Sequence, residues 1–219
     1  SYSYPEDVTM EKFREKFRNI SGDDRIHGIL QLRPLPPQLA EKEIERMIDP
    51  AKDLEGISPE NIARVFAGDE TGFAPCTAEA VVRMLKSYEV PIEGKRAVIV
   101  GRSAVVGRPL AMLLLKEHAT VTVCHTRTRD LERVCREAEI LVAAAGKPRM
   151  IGAAHVREGA VAVDVGINVD ENGKLCGDID FEAVSEKASM ATPVPGGVGA
   201  VTTAVLAEHL VRAAAMRRK

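Results

Sequence analysis

Gly101-Arg102-Ser103-Ala104-Val105-Val106-Gly107-Arg108-Pro109 is the stretch on which the fold turns. It follows Ala97-Val98-Ile99-Val100, an apolar run of strand length, and opens onto Leu110-Ala111-Met112-Leu113-Leu114-Leu115. Strand, glycine turn and helix in that order put backbone N–H groups and a helix N-terminus where a phosphate can bind. The spacing is not the common G-x-G-x-x-G, because Ser103 stands where the second glycine would be. A turn that keeps the architecture while changing the glycines, and adds Arg102, points to a nucleotide site with its own chemistry.

Downstream of that turn the pattern alternates. Strands are expected at Ala97–Val100, Thr120–Cys124, Ile140–Ala144 and Ala160–Val165, with helices at Pro109–Lys116, Asp130–Glu137 and Ala153–Val156. Near-continuous apolar strands separated by helices predict an α/β fold built on a doubly wound parallel sheet. Upstream, Phe13, Phe17 and Ile20 recur at helical spacing over Glu11–Ile20, with Thr9 as candidate N-cap. Ile26–Leu32 reads as a short strand stopped by Arg33-Pro34-Leu35-Pro36-Pro37, a helix is expected over Ala40–Ile48, and Thr77 is expected to cap a helix through Tyr88. A last helix is expected over Thr202–Met216, followed by a basic tail. The boundaries drawn are a smaller α/β domain over 1–80, a dinucleotide-binding domain over 81–201 and a last helical segment over 202–219.

Composition narrows the class. The chain has 219 residues, 45% hydrophobic and 28% charged, as expected of a globular protein. A formal net charge of −2 supplies no field to recruit nucleic acid or anionic membrane. Aromatic content of 4%, without Trp, argues against base-stacking platforms. Cys76, Cys124, Cys135 and Cys176 form no C-x-x-C pair, so reduced buried thiols of a cytoplasmic protein are expected, with no metal. No apolar run is expected to reach the ~20 residues that span a bilayer.

The end of the second strand sets cofactor choice in dinucleotide-binding folds: an acid there binds the ribose 2′-OH, and Arg accommodates a 2′-phosphate. Here Thr120–Cys124 runs into His125-Thr126-Arg127-Thr128-Arg129, with no carboxylate before Asp130. Arg102 approaches from the first turn. Guanidiniums and a hydroxyl in one crevice favour a phosphate dianion, and hence NADP. The plainer reading makes Arg127 and Arg129 a solvated helix-entry cluster. Ala145-Gly146-Lys147-Pro148 and Gly166-Ile167-Asn168 add loops at the same strand ends, where ligands of open α/β sheets bind.

These residues carry a resemblance. Gly101-Arg102-Ser103-x-x-Val106-Gly107-x-Pro109, His125-Thr126-Arg127-Thr128, Asp164-Val165-Gly166-Ile167-Asn168 and Thr192-Pro193-Val194-Pro195-Gly196-Gly197-Val198-Gly199 resemble the methylenetetrahydrofolate dehydrogenase/methenyltetrahydrofolate cyclohydrolase family. Pro75-Cys76-Thr77 and Gly177-Asp178-Ile179 match as well, so the resemblance covers nearly the whole chain in order. It implies oxidation of 5,10-methylenetetrahydrofolate with NADP, then hydrolysis of the methenyl product to 10-formyltetrahydrofolate. It also implies two domains flanking a folate cleft, a last helix returning to the first domain, and a homodimer. Carried over by position, Gly101, Arg102 and Ser103 hold the cofactor phosphates, and Thr126 lies near the 2′-phosphate with Arg102; Arg127, beside Thr126, is the further cofactor-binding candidate from the residue pattern. Ile167 contacts the nicotinamide side, and Pro195, Gly196 and Gly197 border the substrate.

The departures fall on the folate side. The family's catalytic lysine lies in a Tyr-x-x-x-Lys helix, whereas Tyr2 and Tyr4 are followed four residues on by Glu6 and Val8. That helix is expected upstream of Ser1. The family's Val-Gln-Leu-Pro-Leu-Pro reads Gln31-Leu32-Arg33-Pro34-Leu35-Pro36, so Leu32 takes the glutamine's place and Gln31, one position off, turns to the other face of a strand. Arg33 is a new cation at the edge of the site, either part of a replacement polar network or solvated. Asp-Val-Asp-Gly reads Asp53-Leu54-Glu55-Gly56, and Glu55 replaces the aspartate that anchors the pterin, keeping two acceptor oxygens with one more methylene. Glu55, Gln31 and Arg33 are therefore the candidate catalytic residues. Hydride transfer depends chiefly on orientation, and cyclohydrolase chemistry on proton handling, so the departures bear hardest on the second activity. Two other readings stay open: a non-catalytic NADP-binding protein of this fold, and a shikimate dehydrogenase-like enzyme.

Overall fold

Thr9 opens the first helix of the computed structural model, which describes residues 1–216; the basic tail expected beyond Met216 lies outside the described residues. Helix α1 (Met10–Gly22) starts where the Thr9 hydroxyl accepts the Lys12 N–H, and it buries Phe13 and Phe17, whose rings stack. The segment expected as a strand over Ile26–Leu32 pairs only as a single parallel bridge, Ile29 with Asp53. A strand exists by its partners, and this segment finds one. Helix α2 (Glu41–Glu45) is shorter than expected. Pro50, which disfavours helical backbone at Asp49, leaves only tight turns after it. Helix α3 (Pro59–Ala67) is capped by the Ser58 hydroxyl, with Pro59 in its first turn.

Helix α4 (Cys76–Ser87) begins one residue before Thr77, so Thr77 lies inside the first turn and not at the cap. Then follow β1 (Arg96–Val100), α5 (Gly107–Lys116), β2 (Thr120–Cys124), α6 (Leu131–Arg136), β3 (Ile140–Ala143), a short 3₁₀ turn at Ala153–His155 and β4 (Val161–Asp164). Beyond them come β5 (Asn168–Val169) paired antiparallel with β6 (Leu175–Cys176), α7 (Phe181–Ser185) and β7 (Met190–Ala191). The main sheet has the order β2-β1-β3-β4-β7, and all its pairs are parallel. β7 is only two residues long, too short to register as an apolar run. Val98, Val100, Leu141, Ala143 and Ala162 form the sheet's share of a core completed by Cys135, Ile151 and Val184.

Helix α8 (Val198–Met216) starts four residues earlier than expected, because Gly199 and Ala200 carry nothing that stops a helix. It is also long and apolar enough, by length and composition, to cross a bilayer, which corrects the expectation that no run approaches this. Its alanines and valines give it that composition, but His209 and Ala213, four residues apart, are fully buried. His209 packs at 4.9 Å from the Phe73 ring, and the Arg212 guanidinium stacks over the same ring at 4.3 Å.

The chain divides into two compact units, Ser1–Cys76 with the chain from Leu206 onward, and Thr77–Val205. The drawn boundaries at 80 and 202 fall four residues from these divisions. Phe73, Leu54, Ala213 and Leu206 form a small core in the first unit.

All four cysteines are buried and outside any disulfide, and burial pushes the Cys135 thiol up to about 12. Because the thiolate is the reactive form, a colorimetric disulfide reagent at neutral pH should release little thiol from the native protein and the full complement after denaturation. Rapid native reaction of a thiol would contradict this packing.

Candidate functional site

The order β2-β1-β3 makes the C-terminal end of β1 a switch point, with chain leaving to either side. A cavity of about 360 Å³ opens there, its walls including Gly101, Arg102 and Ser103 after β1, His125, Thr126 and Thr128 after β2, and Ala144, Ala145 and Lys147 after β3. Gly101 sits at φ 139°, and a Cβ built on it would run into the carbonyl oxygen of Ala144. A Cβ on Gly107 would in turn strike the Gly101 carbonyl. The two glycines thus let the turn lie against the end of β3, which a side chain at either position prevents. Ser103 has a second duty besides lining the cavity: its Oγ accepts the N–H groups of Val106 (3.1 Å) and Gly107 (3.4 Å), tying down the turn that enters α5. After β2, the Thr128 hydroxyl accepts the His125 N–H and His125 Nδ1 accepts the Arg127 N–H, which fixes a tight turn presenting Thr126.

Gly101, Arg102, Ser103 and Thr126 therefore share one cavity, whose lining includes the cations Arg102 and Lys147 and no acid. Arg127 is exposed and outside that lining. Ile167 stands 73% exposed beyond β4 and also outside it. Gly196 and Gly197 line a different cavity of the same unit, about 460 Å³ and apolar, with Met84, Tyr88 and Met190. Pro195 is not among its walls. Thr192 fastens that segment to the sheet, its Oγ1 accepting the Asp164 N–H at 2.7 Å.

In the first unit, Arg33 and Glu55 come together. The Arg33 guanidinium lies 3.9 Å from Glu55 and 3.8 Å from Glu41. Burial raises the Glu55 carboxyl above its ordinary pKa, Arg33 pulls it back, and Asp53 adds to the rise. Gln31 does not join them. Its side chain is buried beside Ile29's face of the strand, and neither its oxygen nor its nitrogen has a partner among the described residues. Leu32, at 78% exposed, occupies the outward face.

Residues flanking Glu55 form its mount, and sequence reasoning missed them. Lys52, fully buried, donates to the carbonyls of Ser21 (2.5 Å) and Asp23 (2.8 Å) at the end of α1, where the helix dipole favours a cation. Asp53, also buried, accepts the N–H groups of Ile57 and Ser58 just ahead of α3 and the side-chain amide of Asn61 in its first turn. A Lys-Asp pair in an otherwise turn-like stretch was the available signal. Asp164 and Asp178 stand in motifs quoted from the sequence but received no role there, although an acid ending an apolar strand and an acid between Gly177 and Ile179 are both unusual.

A parallel doubly wound sheet with a cation-lined, acid-free cavity at its switch point defines a dinucleotide-binding protein, here joined to a second unit presenting a half-buried acid. Comparison with known proteins specifies it further. The family model for the NAD(P)-binding domain of tetrahydrofolate dehydrogenase/cyclohydrolase matches residues 75–218, and the model for the catalytic domain of that family matches residues 1–55. The chain belongs to this family. It is 56% identical to the bifunctional protein FolD of Alkaliphilus oremlandii over 210 residues, covering 96% of this chain and 74% of that protein. It is 51% identical to FolD of Clostridioides difficile, covering 95% and 72%. Its fold superposes on the bifunctional FolD methylenetetrahydrofolate dehydrogenase/cyclohydrolase of Campylobacter jejuni with a TM-score of 0.95 at 45% identity, covering 97% of this chain and 75% of that one. A Trypanosoma brucei FolD complexed with NADP and inhibitor gives 0.89 at 34% identity, with 95% and 73% covered.

Replacing Arg33 with Met removes the cation that stabilises the charged form of Glu55, so the Glu55 pKa should rise further and the acid form persist to higher pH. Carbon-13 NMR of the labelled Glu55 carboxyl across a pH titration reads this directly, and an unmoved midpoint would show the pair to be uncoupled.

Proposed function

We propose that this protein is an NADP-dependent methylenetetrahydrofolate dehydrogenase and methenyltetrahydrofolate cyclohydrolase. It oxidises 5,10-methylenetetrahydrofolate to the 5,10-methenyl form and hydrolyses that product to 10-formyltetrahydrofolate. The observation that carries the cofactor half is the switch-point cavity, where Arg102 and Thr126 share walls that hold no acid. An acid there would repel a 2′-phosphate and select the unphosphorylated ribose.

When bound, NADP supplies the hydride acceptor. Gly101 admits the cofactor backbone closely, α5 directs its N-terminus at the phosphates, and Arg102 with Thr126 grips the 2′-phosphate. Arg127, on the exposed turn beside Thr126, adds positive charge at that end. Ile167 is the apolar contact on the nicotinamide side, and Pro195, Gly196 and Gly197 are the substrate-bordering segment. Glu55 accepts the N–H donors of the pterin's aminopyrimidine edge, and those donors replace the solvation that burial has removed. Arg33 holds the carboxyl of Glu55 in place and limits its tendency to take a proton. Gln31, buried and without a hydrogen-bond partner among the described residues, is read as a support of the loop and not a group that meets substrate.

We further read the protein as cytoplasmic and homodimeric, acting without nucleic acid or membrane. The buried thiols, outside any disulfide, support a reducing compartment, and the burial of His209 and Ala213 within the first unit supports α8 as a packing helix. Analytical ultracentrifugation tests the dimer.

Arg102→Ala should raise the Michaelis constant for NADP at least tenfold and leave that for NAD nearly unchanged, since a charge-assisted hydrogen bond contributes about 1.5–3 kcal/mol. Equal losses for both cofactors would remove Arg102 from the 2′-phosphate. Glu55→Ala should raise the Michaelis constant for methylenetetrahydrofolate by about tenfold or more, a loss of the same order for a charged hydrogen-bond acceptor, with NADP affinity preserved. An unchanged folate constant would take Glu55 out of the site.

A further inference from the structure

Behind the switch-point cavity lies a pair of buried carboxylates that the proposed chemistry does not use. Asp178 is fully buried. Its Oδ2 accepts the N–H groups of Ala145 (2.5 Å) and Gly146 (2.9 Å), and its Oδ1 accepts the Lys147 N–H (2.8 Å) and the Asn168 side-chain amide (2.9 Å). Three consecutive backbone N–H groups converging on one anion make a nest of the kind that elsewhere holds phosphate. Here the anion is part of the chain.

Asp164, at the end of β4, holds Asp178 in turn. Its carboxylate accepts the N–H groups of Gly166 (2.9 Å), Asp178 (3.0 Å) and Ile179 (2.8 Å). The approach is so close that a Cβ on Gly177 would collide with the Asp164 carboxylate. The resulting chain of hydrogen bonds runs from the end of β4, through the backbone of Asp178 and its side chain, to the loop after β3. Two of the residues it fixes, Ala145 and Lys147, line the cofactor cavity, and a third, Asn168, adjoins Ile167.

We infer, on the reading of the switch-point cavity as the NADP site, that Asp178 is a positioning residue of that site, setting the loop after β3 and the segment after β4 in one arrangement. With the N–H groups of residues 145–147 bonded to Asp178, the loop meets the cavity through Ala145 and Lys147. The loop is thereby shaped before cofactor arrives, so no ordering cost falls on binding. Ionised carboxylates are strong acceptors for this purpose, because each oxygen takes two donors and no proton is left to clash with them.

Asp178→Asn tests this in the whole protein. The amide keeps the volume of the acid but sets an NH2 group against backbone donors, so it loosens the loop without opening a cavity. With folding verified by circular dichroism, titration of NADPH fluorescence should show at least tenfold weaker binding, while the Michaelis constant for methylenetetrahydrofolate changes less than twofold. A purely structural role lowers the melting temperature but leaves cofactor affinity of the folded protein intact, and that result overturns the proposal. Should the variant not fold, amide exchange on the wild-type protein decides: protection of Ala145, Gly146 and Lys147 in the free protein supports a preset loop, and exposure overturns it. Absence of NADPH binding by the wild-type protein in the same titration would overturn the reading of the cavity itself, and the role of Asp178 with it.

Discussion

Gly101 has no side chain because its backbone lies against the last carbonyl of the neighbouring strand run. Its φ of 139° and the Ala144 oxygen where its Cβ would stand are two aspects of one constraint: β1 and β3 must end side by side. Because both strands are parallel and adjacent, their following loops emerge together, and β2 on the other side of β1 delivers His125 and Thr126 to the same rim. Gly107 then packs under the Gly101 carbonyl, so α5 begins within reach of the same point. The cavity is thus a product of strand order and of two missing Cβ atoms. Its charge is added by Arg102 and Lys147.

The sheet was legible because its strands are buried on both faces, and burial on both faces writes itself as an unbroken apolar run. β1, β3 and β4 read this way, and β2, an edge strand with much of its length exposed, was marked by Thr and Val alternation. The segment Ile26–Leu32 shows the limit of the same logic. Its residues suit a strand, but pairing is a property of neighbours, and only Asp53 supplies one. Likewise β7 is defined by its register beside Val161 and Ala162, which no two-residue stretch can announce.

At the site, legibility followed the same division between what a residue is and what it meets. Arg102 and Thr126 line one cavity because the turns after β1 and β2 carry them there. Arg127, in the next position, carries the same local signal, and the turn built on Thr128 and His125 leaves it exposed outside that lining. The face reversal of Gln31 relative to Leu32 followed from strand geometry, but its burial without polar partners depends on tertiary packing. The pairing of Arg33 with Glu55 joins residues far apart in the chain, and no local spacing encodes it.

Lys52 and Asp53 give the first unit a different character. One is tied to the end of α1 and the other to the start of α3, so the backbone between those helices is clamped immediately ahead of Glu55. None of those ties involves the Glu55 side chain. A scaffold arranged like this separates the upkeep of shape from the side chain carried at position 55: a substitution there leaves each of these ties in place.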